Sequence, residues 1–276
     1  MKDKRMSIIE DACTFMESWL DGRKPVAGII LGSGLGALAD QIRDSIVVPY
    51  VSIPGFPSAT AIGHKGNFIC GTLGGKCVIA MQGRYHFYEG YPMDTVVLPV
   101  RVMIRLGIKY LLVSNAAGGM NKTFHIGDLM LLNDHINLLP NPLIGPNLPE
   151  FGPRFPDMTC AYDLDLQKRM KEIAEKENIA LQQGIYVSCS GPTYETPAEY
   201  RFYAAIGGDA VGMSVTPEVI TARHSGIRVL GMSVITDVAH EADDGYVTDE
   251  NEIVRQADLA SKKMCVLFEN LIKGLD

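Results

Sequence analysis

The chain has 276 residues, 47% of them hydrophobic and 21% charged, which is enough apolar content for a sizeable core and too little charge for disorder. Its 25 basic and 32 acidic residues give a formal net charge of -7, which argues against nucleic-acid partners but allows a small anion held by local positive charge. The N-terminus lacks the apolar run of a signal peptide, no apolar span of membrane length follows, and the 6 cysteines form no CxxC pair, so a cytoplasmic protein with reduced thiols and no membrane partner is expected.

Ser7 and Glu10 have capping-box spacing, and Ile8, Ala12, Phe15, Met16 and Trp19 recur at helical intervals until Gly22. Residues 25–31 read as a short buried strand running into Gly32-Ser33-Gly34-Leu35-Gly36-Ala37, with a second helix through Ala39 and Ile42. That glycine run formally satisfies a dinucleotide fingerprint, which also needs a ribose-binding acid after the second strand. Asp44 comes too early, and no Asp or Glu occurs from Ser45 through Tyr88. A dinucleotide-binding oxidoreductase is therefore the weaker alternative. What remains is an anion site made of backbone N–H groups and the Ser33 hydroxyl at a helix start.

Strand-type runs follow at 46–51, 67–72 and 76–81, the last two flanking the hairpin signal Gly74-Gly75. The loop Ala61-Ile62-Gly63-His64-Lys65-Gly66 can close over an anion, though alone it reads as a surface turn. If the segment after Met81 stays extended, Arg84, His86 and Tyr88 share one face and Tyr85, Phe87 and Glu89 the other. Guanidinium, imidazole and phenol together suit a phosphate and a sugar hydroxyl; a polar edge strand is an equal reading of the same residues. Residues 93–106 predict a helix bent at Pro99. Residues 110–114 predict a buried strand closed by a turn, Asn115-Ala116-Ala117-Gly118-Gly119, where glycines pack tightly or admit a ligand to backbone amides. A strand at 127–132, a long loop at 137–157 and a helix at 163–178 come next.

After a strand at 185–190, two loop-to-helix junctions share one local grammar. Thr196, Pro197 and Glu199 form an N-cap, a first-turn proline and a capping-box acid, and Thr216-Pro217-Glu218 repeats the start. The first loop presents Tyr194 and Glu195, the second Met213 and Ser214. A ring, a charge, a soft apolar surface and a hydroxyl suit a polar-edged heterocycle carrying a sugar. Residues 228–236 are the last strand and 253–271 the last helix. Alternating strands and helices predict an α/β fold, a mixed sheet covered on both faces, in a single domain over 1–276. None of the 6 histidines has HExxH or HxH spacing, so no metal site is expected.

The chain resembles the trimeric purine nucleoside phosphorylases, whose relatives include the methylthioadenosine phosphorylases. The resemblance runs from about Val26 to the final helix. It rests on GSGLG at 32–36, GHKG at 63–66, MQGRYHFYEGYP at 81–92, NAAGG at 115–119, DHIN at 134–137, FGPRFP at 151–156, GPTYETPAE at 191–199 and VGMSVTPEVITARH at 211–224. It implies a mixed sheet forming a distorted barrel ringed by helices, in a homotrimer. It implies phosphate held by Ser33, His64, Arg84, His86, the Ala116 amide and Ser214. Tyr88 and Met213 would contact the ribose, Tyr194 and Glu195 the base, and Phe155 would reach a neighbouring subunit's site. The implied reaction is phosphorolysis of a purine nucleoside to the free base and (deoxy)ribose 1-phosphate. Inorganic phosphate is the co-substrate and no cofactor is needed, and His86, Glu195 and Asp237 are the expected catalytic residues.

Two positions depart from the family. Enzymes acting on 6-oxopurines carry Asn where this chain has Asp237; methylthioadenosine phosphorylases carry Asp there. An ionised Asp237 accepts from a 6-amino group, whereas a protonated one could act as general acid to the purine N7. Near the ribose 5′-hydroxyl, where the family places His, an ungapped count gives Asn251, with His240 as a substitute. Base preference extending to 6-aminopurines and a methylthioadenosine phosphorylase-like activity both stay open. A hydrolytic nucleosidase would not need Ser33, Arg84 and His86 together, and a non-catalytic nucleoside binder would show no turnover.

Overall fold

The computed structural model describes residues 3–32, 36–240, 245 and 247–276. Ser33 therefore lies outside the described residues. Helix α1 (Lys4–Leu20) starts upstream of the expected Ser7 cap, because the Asp3 side chain accepts the Arg5 N–H at 2.9 Å and takes the capping role. Its buried stripe of Met6, Ile9, Ala12, Met16 and Leu20 faces the core. Strand β1 (Ala27–Leu31) is buried along its whole length, and a short 3-10 helix over Gly36–Gln41 stands where an α-helix was expected. β2 (Arg43–Pro49), β3 (Asn67–Leu73) and β4 (Lys76–Gln82) follow. Gly74 and Gly75 turn the β3–β4 hairpin with φ of 57 and 80, a region open to glycine.

The expected bent helix is two helices, α2 (Met93–Val96) and α3 (Leu98–Arg105). Pro99 lies in the first turn of α3, where its missing N–H leaves no bond unmade. β5 (Tyr110–Gly119) runs straight through the expected glycine turn. Then come β6 (Leu129–Asn137), α4 (Leu164–Lys176), β7 (Gln182–Ser188), α5 (Pro197–Ala205), β8 (Ala210–Gly212), α6 (Thr216–His224), β9 (Arg228–Val238) and α7 (Glu250–Lys273). The 3-residue β8 was not anticipated, being too short to carry a pattern.

Among the described residues the strands form one nine-stranded mixed sheet in the order β2-β3-β4-β1-β5-β8-β7-β6-β9. A further parallel pairing of β5 with β9 closes β5, β8, β7, β6 and β9 into a barrel, leaving β2, β3, β4 and β1 as an outer wing. The distorted barrel expected from the sequence is present. One buried cluster joins α1, α3 and α6 to the sheet through Met16, Val100 and Val219; another joins α4 and α7 through Leu166 and Phe268. No helix among the described residues is long and apolar enough to cross a membrane.

β1 pairs in parallel with both β4 and β5, and β5 in parallel with β9, so the carboxyl ends of β4, β5 and β9 emerge together. The β5–β9 register slips between Ala117 and Gly118, a bulge that re-aims the strand end where the cleft begins.

Candidate active site

Where these strand ends meet the loops before α5 and α6, a cleft of about 680 Å³ opens. Its wall includes Arg84, His86, Tyr88, Ala116, Tyr194, Glu195, Met213, Ser214 and Asp237. Most of the residues singled out from the sequence are thus in one place.

Arg84 follows β4 through Gly83, whose φ is 97 and on which a Cβ would lie 2.5 Å from His64 Cβ. Only glycine admits both the turn and the imidazole. The Arg84 side chain is 1% exposed; Nη1 donates to Ser214 Oγ at 2.9 Å, Nη2 donates to the Ser114 carbonyl at 2.6 Å, and Nε is 3.3 Å from Glu218 Oε1. A fixed planar cation at the cleft wall suits a bidentate oxyanion.

His64 accepts the Arg84 backbone N–H on Nδ1 at 3.0 Å and stacks on His86 at 5.1 Å, and His86 stacks in turn on Tyr88 at 4.7 Å. Burial, then the neighbouring His86, push His64 down to about 3. Burial also pushes His86 down, a push that Arg84 reinforces and Glu89 opposes. Glu89 Oε1 accepts both the His86 N–H at 2.7 Å and Nδ1 at 3.2 Å. Burial raises the Glu89 carboxyl, but hydrogen bonds from His86 and Thr60 overcome it and hold it down at about 2.

The alternation expected for this segment holds for Arg84, His86 and Tyr88, which all reach the cleft. Glu89 differs: the 3-10 turn Phe87–Glu89 brings it back to His86 instead of leaving it on the opposite face. Tyr85 does point away, into an aromatic group with Tyr50, Phe56 and Tyr91.

The two junctions before α5 and α6 are not alike. At the first, Thr196 Oγ1 accepts the Glu199 N–H at 3.2 Å and Glu199 returns to the Thr196 N–H at 2.8 Å, the capping box expected. It holds Tyr194 (42% exposed) and the half-buried Glu195 at the cleft. At the second, Thr216 is not the cap: its hydroxyl donates to Asn137 Oδ1 at 2.7 Å and lies 2.6 Å from Ser188 Oγ. Val215 occupies the N-cap position at φ 71, ψ -59, a strained conformation for a β-branched residue.

One partner was not legible in the sequence. Cys189 Sγ donates to Glu195 Oε1 at 3.2 Å, and burial, followed by the Glu195 charge, pushes this thiol up to about 12 so that it stays a donor. Burial also raises the Glu195 carboxyl. Asp237, 4% exposed at the end of β9, accepts the Val238 N–H on Oδ1 at 2.9 Å and the Thr248 hydroxyl on Oδ2 at 3.4 Å, and His240 Nε2 lies 3.5 Å from Oδ1.

Among the described residues, three expected site residues are absent from the cleft wall of their own chain: His64, which stacks on His86 beside it, Asn251 and Phe155. Asn251 lies exposed in the first turn of α7, its Nδ2 donating to Asp249 Oδ1 at 3.2 Å, and Ile253 is the α7 residue on the cleft wall. Two residues along a helix, about 200° around its axis, separate an outward from an inward position, which a count without structure cannot resolve. Phe155 is 87% exposed and lines a separate groove with His135 and Ile220. His240 sits beside Asp237 and is absent from the cleft wall.

Residues 26–273 match the family model of the phosphorylase superfamily. The chain is 54% identical over 240 residues to "Purine nucleoside phosphorylase 1" of Bacillus subtilis, covering 87% of each chain. It is 48% identical over 222 residues to the Mus musculus purine nucleoside phosphorylase, covering 78% of this chain and 76% of that one. The fold superposes on Schistosoma mansoni purine nucleoside phosphorylase in complex with adenosine with a TM-score of 0.94 at 44% identity, covering 98% of both chains. A Schistosoma mansoni purine nucleoside phosphorylase in complex with inosine gives 0.93 at 42% identity, covering 98% of this chain and 97% of that one. The chain belongs to the phosphorylase superfamily and, within it, to the purine nucleoside phosphorylases.

Proposed function

We infer that this chain catalyses the phosphorolysis of purine nucleosides, giving free purine and (deoxy)ribose 1-phosphate. The observation that carries this is a buried, immobilised Arg84 opening on the same cleft as two carboxylates, Glu195 and Asp237. An oxyanion fits the first and the polar edge of a purine fits the second, with the sugar between them. As the glycosidic bond breaks, positive charge grows on the sugar and negative charge on the base. Phosphate is the nucleophile and the counter-charge, so the protein's contribution is positioning and electrostatics.

In this scheme Arg84, Ser214, His86 and His64 hold phosphate with the Ala116 amide, and Ser33 joins them from the glycine loop. Tyr88 and Met213 bound the ribose. Tyr194 covers the base, and Glu195, held by the Cys189 thiol, bonds its pyrimidine edge. Asp237 meets the rest of the base, and the two hydrogen bonds its carboxyl oxygens accept, from the Val238 N–H and the Thr248 hydroxyl, favour the acceptor role that a 6-amino group needs. Schistosoma purine nucleoside phosphorylases have been captured with adenosine, with inosine and with guanosine, which span both base classes. We extend that breadth to this chain and assign its weighting to Asp237. With Asn251 turned outward, the 5′ end of the sugar faces Ile253. A methylthioadenosine phosphorylase-like activity is not favoured, since the named relatives are purine nucleoside phosphorylases.

Base release from inosine, guanosine, adenosine and methylthioadenosine, each with and without phosphate, tests this reading. Turnover is expected only with phosphate, and phosphate-independent release would identify a hydrolase instead.

We propose further that the chain assembles as a homotrimer, with the exposed Phe155 completing the site of a neighbour. Phe155→Ala is then expected to raise the nucleoside KM about 10-fold, as for loss of a buried aromatic contact, while leaving the phosphate KM unchanged. Unaltered nucleoside kinetics would remove Phe155 from the site.

A further inference from the structure

We propose that Glu218 is the positioning residue of the anion site, fixing the Arg84 guanidinium in the orientation that receives phosphate. The proposal rests on the phosphorolysis reading and goes beyond it, because Glu218 does not line the cleft. From sequence, Glu218 is an acid in the first turn of a helix, where it would favour the helix dipole from the surface. The structure gives it another setting. Glu218 is 2% exposed, and its Oε1 lies 3.3 Å from Nε of Arg84 in an ion pair whose side chains are 1% and 3% exposed.

A buried ion pair is a poor stabilising device, since desolvation consumes most of what the attraction returns, and an apolar pair would serve a core as well. Its value here lies in orientation. The guanidinium has five N–H donors in a rigid plane. Glu218 faces the Nε edge, Ser214 Oγ takes a bond from Nη1 and the Ser114 carbonyl one from Nη2. One hydrogen on Nη1 is then left for an oxyanion, and the second on Nη2 is held only loosely by the protein. Only a 3.5 Å contact from Nη2 to the Ile30 carbonyl competes, and it is long enough for an anion to displace.

Glu218 also braces the second wall of the same site. Burial raises its carboxyl, while Arg84 and then the nearby Val215 backbone N–H act against that rise. Val215 is the strained residue at φ 71 that follows Ser214 directly. The carboxylate thus lies against both the arginine and the turn presenting the serine, on the side away from the cleft.

The test measures initial rates of the full-length Glu218→Gln and Glu218→Asp enzymes, varying phosphate at saturating nucleoside and the reverse. Glu218→Gln is expected to raise the phosphate KM at least about 10-fold while the nucleoside KM stays within about 2-fold, and Glu218→Asp, which keeps the charge, to recover part of the loss. A folded Gln variant with an unchanged phosphate KM, or with both KM values raised alike, overturns the proposal. If the Gln variant does not fold, the Asp variant is judged by the same KM split. Wild-type turnover that ignores phosphate would instead overturn the phosphorolysis reading, so the two failures are distinguishable.

Discussion

Arg84→Lys is expected to lower kcat/KM for phosphate by about 10²- to 10³-fold, the range seen when one transition-state donor is removed from a preorganised site. Lysine keeps the positive charge, so Glu218 retains a counter-ion and the buried side of the site need not unfold. What it loses is the plane. A single ammonium cannot face Glu218 Oε1, Ser214 Oγ and the Ser114 carbonyl at once and still present two parallel donors to phosphate. Arg84→Ala would add the cost of an unpaired buried carboxylate, about 3–5 kcal/mol, and would confound activity with folding. Steady-state rates against phosphate concentration for Arg84→Lys, with thermal unfolding as the control, check this. Retention of wild-type efficiency would show that charge alone suffices.

Asp237→Asn is expected to lower the ratio of adenosine to inosine kcat/KM by about 10- to 100-fold, the discrimination that one matched or mismatched buried hydrogen bond supplies. A carboxylate at position 237 can only accept, and the Val238 N–H and Thr248 hydroxyl already donate to it. A 6-amino group adds one more donor, whereas a 6-oxo group brings an acceptor against an acceptor. Asn supplies an N–H toward a 6-oxo group and toward N7. Competition of the two nucleosides in one assay gives the ratio directly. An unchanged ratio would place Asp237 outside base recognition.

What was legible in the sequence was whatever its own neighbours determine. The Thr196 capping box was readable because donor and acceptor lie within one turn. The hairpin at Gly74-Gly75 and the shared orientation of Arg84, His86 and Tyr88 follow from equally local geometry. The misreadings share a distant cause. Thr216 carries the same signal as Thr196, yet Asn137 and Ser188, on β6 and β7, take its hydroxyl. Asn115 to Gly119 reads as a turn, but pairing with β9 and β8 keeps it a strand. Its glycines instead make room for neighbours: a Cβ on Gly118 would lie 2.7 Å from the Tyr200 hydroxyl, and one on Gly119 would lie 3.0 Å from Ile235. Cys189 and Glu218 carried no signal, because their partners Glu195 and Arg84 meet them only in the folded chain.

Glu199 and Glu218 sit at similar places in two similar helix starts. One closes a local cap at the surface, and the other is buried against an arginine from β4's exit loop. No sequence rule separates them. Burial does, and with it their roles.

Phosphorus NMR of the enzyme with inosine or adenosine and inorganic phosphate tests the central claim most directly. Phosphorolysis gives a sugar 1-phosphate resonance that grows in step with loss of inorganic phosphate and release of free base. Free base and free sugar appearing while the phosphate signal stays constant would contradict it.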